Sequence, residues 1–186
     1  MSKPSVHARR RRAGLSMVET IAMVSLAAST IAVAGPTIYR TLRSSKIDEA
    51  ADSLQRQLIG LRAYYNRPQL VGDERKVHCL PASAGPVPRE PSSRGITLVL
   101  GDHGEAAAAL QAFEFVPSEP TRFRYTFTTS ASGCALPERS ETTHFVLMAE
   151  GDLDADGVFS RFLRRGSIDR QGLHIDPLLV VQRRIE

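Results

Sequence analysis

Little in this chain is equipped for catalysis. Only two cysteines and five histidines occur in 186 residues. None of His7, His78, His103, His144 and His174 stands at zinc-ligand spacing. There is no phosphate-binding loop and no dinucleotide fingerprint. His78 directly precedes Cys79, but adjacent residues are poorly placed to act as base and nucleophile. These absences argue against an enzyme and give the histidines structural or solvated roles.

Basic surface is scarce as well, despite a net charge of +4. Lys3, Arg9, Arg10, Arg11 and Arg12 all precede Gly14. Without these five of the 24 basic residues, 19 remain against 20 acidic ones. The excess is a terminal cluster and gives no support to a nucleic-acid partner. A short arginine run before an apolar stretch reads as a topology signal. The length suits one domain with a real core and is short for two.

Charge is absent altogether from Thr20 to Tyr39. As a helix these residues would extend about 30 Å, close to the thickness of a hydrocarbon core. The run is rich in alanine and includes Ser25, Ser29 and Thr30, which suits close helix–helix packing better than contact with lipid. The helical pattern then continues. Ile47, Ala51, Leu54, Leu58, Leu61 and Tyr65 form an apolar stripe, while Asp48, Asp52, Gln55, Arg56 and Arg62 occupy the other faces. Asn66, Arg67 and Pro68 supply a stop. Residues 15–66 would make one helix of about 78 Å, apolar all round in its first half and one-sided in its second.

The one-sided half needs a partner layer, which the remainder should provide. Val71 to Arg94 reads as a loop rich in proline and glycine. Gly95–Gly101 reads as a strand and Glu105–Ala112 as a short helix. Arg122 to Thr128 alternates, with Phe123, Tyr125 and Phe127 on one side, the pattern of a half-buried strand. Thr143–Ala149, Val158–Arg164 and Leu178–Arg183 are further strand candidates. The expected architecture is α+β, a long N-terminal helix packed on a small antiparallel sheet. The corresponding divisions are a basic leader over 1–14, a membrane half over 15–39, an amphipathic half over 40–66 and a β-rich domain over 67–186.

Cys79 and Cys134 both follow the apolar stretch. If that part is exported, an oxidising compartment favours a disulfide between them, contributing about 4 kcal/mol by loop closure. The alternative is two buried free thiols. Asp152, Asp154 and Asp156 alternate before Gly157, a spacing that suits calcium. The twelfth position of an EF-hand loop would be Leu163 instead of glutamate, so the site is incomplete, and an acidic solvated turn is the other reading.

Gly14-Leu15-Ser16-Met17-Val18-Glu19 joins the leader to the apolar run. A lone acid at the start of such a run costs about 2.5–3.5 kcal/mol on the gentler insertion scale, so it needs a partner. Here the chain resembles the type IV pilins and the related pseudopilins of type II secretion. The resemblance covers residues 14–19 closely and reaches to about residue 66. It implies cleavage by a prepilin peptidase between Gly14 and Leu15, methylation of the new N-terminus, and a role in assembly for Glu19, the fifth mature residue. Pro36 falls where proline is frequent in that family, as a weak point in the helix. Leu15 departs from the common phenylalanine. Like or related subunits would be the partners. The chain would cross the inner membrane once with its C-terminal domain periplasmic, and then enter a pilus or pseudopilus filament.

The amine released at Leu15 would attract Glu19 of a neighbouring copy in a low-dielectric setting. Two other readings stay open. Thr20–Val33 can serve as the apolar core of a signal peptide cleaved after Ala34, at Ala32-Val33-Ala34, releasing a secreted protein. An uncleaved anchor would instead tether an enzyme or binding domain.

Overall fold

The computed structural model describes residues 16–71, 75–117, 119–136, 141–153 and 155–182. It is α+β. One helix, α1 (Met17–Asn66), is followed by short strands β1 (Gln69–Val71), β2 (Arg75–Val77), β3 (Cys79–Leu80) and β4 (Ala84–Val87). A 3-10 segment (Leu100–Ala107) leads into α2 (Ala108–Ala112). Then come β5 (Arg124–Thr129), β6 (Gly133–Cys134), β7 (Thr143–Gly151), β8 (Ser160–Asp169), β9 (Gly172–Ile175) and β10 (Val180–Gln182). The chain divides into two compact units, one ending at Ser44 and one running from Ser45 to Glu186. The amphipathic half of α1 from Ser45 onward thus shares a unit with the sheet.

That second unit has a six-stranded antiparallel sheet in the order β10-β8-β7-β5-β4, with β9 also pairing to β8. Along β5 the expected alternation holds, with Tyr125 and Phe127 fully buried and Arg124, Thr126 and Thr128 less so. Register sets Tyr125 opposite Ala149 and Ala149 opposite Phe162. The helix contributes Ala50, Leu54, Leu58, Leu61 and Tyr65 to the same apolar cluster as these strand residues. Aromatic rings meet edge to face, Phe113 with Phe127 and Phe115 with Tyr125 at 5.1 Å, and Phe123 with Phe162 at 5.7 Å. Such pairs add about 0.5–1.5 kcal/mol each beyond their area.

Several polar groups inside this unit are matched, although the side-chain amide of the fully buried Gln57 has no hydrogen-bond partner among the described residues. Glu49 on α1 accepts the Arg122 N–H at 2.8 Å and Arg122 Nη1 at 2.7 Å. The Tyr125 hydroxyl donates to Ser53 Oγ at 3.1 Å and lies 2.8 Å from Thr121 Oγ1. Glu150, its side chain only 4% exposed, takes Arg124 Nη2 at 2.8 Å and Arg161 Nε at 2.6 Å. Arg124 also lies over the Phe159 ring, 4.7 Å from its centroid.

The structure departs from the sequence reading at four points. The helix stripe is centred on Ala50 in place of Ala51, which is half-buried, and it takes in the fully buried Ser53 and Gln57. Gly95–Gly101 is no strand. Only Ile96 bridges, to Thr121, and Leu100 already begins the 3-10 segment. The edge beside β5 is occupied by β4, which comes from the proline-rich stretch read as loop. Pro86 is tolerated there because an edge strand has one side free of ladder hydrogen bonds. Finally, Gly172–Ile175 forms β9, folding back on β8 across the Arg170–Gln171 turn.

Gly60 lets α1 approach the end of α2. A Cβ at that position would lie 2.0 Å from the Phe113 carbonyl oxygen, and backbone must then shift. Gly60→Ala should destabilise the second unit by about 2–3 kcal/mol, read as a lower denaturant midpoint of the full chain in detergent. Gly101→Ala, where nothing lies within 4 Å of the added atom, should change stability by less than about 0.5 kcal/mol.

Candidate functional site

Helix α1 is opened by a reciprocal cap. The Ser16 N–H donates to Glu19 Oε2 at 2.8 Å, and the Glu19 N–H donates to Ser16 Oγ at 3.3 Å. This is the serine-x-x-glutamate capping box, which satisfies two of the backbone donors that every helix start leaves unpaired. The carboxylate also sits at the positive end of the helix dipole. Sequence reasoning singled out Glu19 and passed over Ser16, although the spacing of the two is itself the recognisable signal. Gly14 and Leu15 lie outside the described residues.

Behind the cap, Met17–Gly35 is a 19-residue segment long and apolar enough to cross a membrane, and none of it is buried within the protein. Met17, Val18, Val24, Leu26, Ile31 and Val33 are all more than two-thirds exposed. Moving each such side chain out of water is worth about 1.5–3 kcal/mol. A run of this length with every face apolar is suited to an apolar medium or to apolar partners. Its hydroxyls do not interrupt that character. Thr20 Oγ1 donates to the Met17 carbonyl, Ser29 Oγ to Ser25 and Thr30 Oγ1 to Leu26, each at 2.8 Å. The helix assignment continues through Gly35 and Pro36.

In the second unit, Cys79 and Cys134 form a disulfide. They are direct register partners in the β3–β6 pair. The bond removes Cys79 from any nucleophilic role beside His78. The His78 ring instead stacks on Tyr65 at 4.9 Å, and its Nδ1 lies 2.7 Å from the Tyr65 carbonyl oxygen, at the end of α1.

The Asp152–Asp156 segment is a tight turn built from its own carboxylates. Asp152 Oδ2 accepts the Gly157 N–H at 3.1 Å, and Asp156 Oδ1 accepts the Val158 N–H at 2.7 Å. Lys46 of α1 donates to the Leu153 carbonyl at 2.5 Å and anchors the turn. Asp154 lies outside the described residues. Among the described residues no three metal-ligating side chains gather at one point.

No family model, no curated protein and no solved structure matches the chain. The site therefore has to be interpreted from its own chemistry, which is a capped carboxylate at the head of an uncovered apolar helix.

The disulfide closes a loop across 55 residues of sequence separation. Its loss in the Cys79→Ala, Cys134→Ala double variant should lower stability by about 4 kcal/mol. Unfolding of the oxidised native chain and of the variant in the same detergent measures this, and reduction of the native chain should bring its midpoint down to that of the variant.

Proposed function

We propose that this protein is a structural subunit of a type IV pilus or a related filament, made as a precursor and cut between Gly14 and Leu15. The observation that carries this reading is the uncovered apolar helix Met17–Gly35 headed by Glu19. A segment of that kind serves two successive needs. It crosses the inner membrane once, and it later packs with the same segment of neighbouring subunits. The arginine cluster before Gly14 keeps the leader cytoplasmic, so the disulfide-containing unit faces the periplasm, where disulfides persist.

The capping box bears on how Glu19 would work. Cleavage after Gly14 leaves the Ser16 N–H an amide, so the cap survives processing. Glu19 Oε2 is held by that amide, which aims the carboxylate at the helix start, where the new amine of an adjacent subunit would arrive. Pairing the two charges away from water offsets the cost of burying either one and fixes the axial step between subunits.

Mass spectrometry of the mature N-terminus in the producing cell should find methylated Leu15. A chain starting at Gly35 would replace this reading with a secreted protein, and one starting at Met1 or Ser2 with a tethered domain. Glu19→Ala and Glu19→Gln should both still insert in the membrane. Glutamine keeps the capping box but loses the charge, so both variants should enter filaments poorly. Native-like assembly of Glu19→Gln would remove the charge-pairing mechanism.

A further inference from the structure

The end of α1 and the β8–β9 turn border a polar cleft of about 510 Å³, lined chiefly by Arg62, Tyr65, Asn66, His78, Arg170 and Gln171. Its two guanidinium groups come from different elements, Arg62 from the last turns of α1 and Arg170 from the turn between β8 and β9. Neither has a hydrogen bond or ion pair among the described residues. Among the described residues no carboxylate lines the cleft.

The nearest acid among the described residues, Asp169, borders the cleft through Gln171 and is bonded on its own strand pair. Its Oδ1 accepts the Gln171 N–H at 2.7 Å and lies 3.0 Å from His174 Nε2. The Gln171 amide, followed by His174, holds its carboxyl below the ordinary aspartate range. Three of the last carbonyls of α1 are satisfied as well. The Arg67 N–H donates to the Ala63 and Tyr64 carbonyls at 3.1 and 3.2 Å. The Tyr65 carbonyl, which can only accept, takes the Nδ1–H of His78 at 2.7 Å.

What is left is a cleft lined by two guanidinium groups that no described carboxylate pairs directly, with the amide groups of Asn66 and Gln171 beside them and the Asp169 carboxylate at its border. Like charges that no carboxylate pairs directly favour entry of an anion. Planar guanidinium forks match the oxygens of phosphate and carboxylate in bidentate fashion. We propose that this cleft binds a small dianionic ligand, a phosphate monoester or a dicarboxylate, held between Arg62 and Arg170. The inference does not depend on the filament reading, since it uses only the second unit.

Isothermal titration of the full chain in neutral detergent at low salt tests it, with inorganic phosphate and malonate as separate probes. Saturable one-to-one binding is expected for at least one probe, and the tighter of the two identifies the source of the charge. Arg62→Gln and Arg170→Gln should each weaken it about tenfold or more, and the double variant should show no saturable heat. Arg89→Gln, outside the cleft, should bind as the native chain does. Arg170 lies on an exposed turn, so its single variant carries the test even if the double variant is unstable. Absence of saturable heat with both probes, or unchanged affinity in Arg170→Gln, would overturn the assignment.

Discussion

Apolar surface that the chain itself does not cover sets the terms for the rest of this protein. Met17–Gly35 presents large aliphatic side chains on every face, and none is buried within the protein. In water that exposure would forgo at least as much free energy as the net stability of an ordinary domain. A medium or partners must therefore be supplied from outside, and the rest of the sequence is compatible with that demand. The segment is free of charge apart from Glu19. The hydroxyls of Thr20, Ser29 and Thr30 are bonded back to its own carbonyls, so it carries few unmet polar demands into an apolar setting.

From Ser45 onward the same helix obeys a different rule. One face is apolar and enters a core with the sheet, and the opposite faces are charged. Polar contacts fix where the helix sits. Glu49 meets Arg122, Ser53 meets Tyr125, and Lys46 meets the Leu153 carbonyl. Each ties a helix position to a different part of the remaining chain. Their net contribution is modest while intact, but removing one partner leaves the other buried and unsatisfied. Their main effect is to set register. Sliding the helix by one turn would break all three at once and would carry Gly60 away from the Phe113 carbonyl, an approach that only glycine permits.

Which features were legible in the sequence follows from how local their causes are. The apolar run, the stripe through Leu54, Leu58, Leu61 and Tyr65, and the alternation through Phe123, Tyr125 and Phe127 are written in consecutive residues, and the structure places them as the patterns require. The pairing of Cys79 with Cys134 needed only a count of two. Gly95–Gly101 failed because a strand also needs a free edge, and Ala84–Val87 holds it. Nothing within GITLVLG records that competition. The stripe shifted to Ala50 and admitted Ser53 because a partner on the sheet, the Tyr125 hydroxyl, meets it there, whereas the buried Gln57 has no such partner among the described residues. The cleft between Arg62 and Arg170 was invisible for the same reason. Its two cations are far apart in the chain and become neighbours only when β9 folds back on β8.

The capping box shows how one local motif can serve two stages. A carboxylate entering a bilayer alone is expensive, yet Glu19 at the third helical position has the Ser16 amide and the helix dipole as local partners. These partners are neutral groups or partial charges, so they reduce the cost of the carboxylate without cancelling its charge. A full positive charge would gain more from Glu19 than the cap does, and the gain would grow as water is excluded. On the proposed reading, the cap makes the lone subunit tolerable in the membrane, and the remaining imbalance favours meeting an amine from another subunit. A fully neutralised residue in this position would insert more easily and would have less reason to associate.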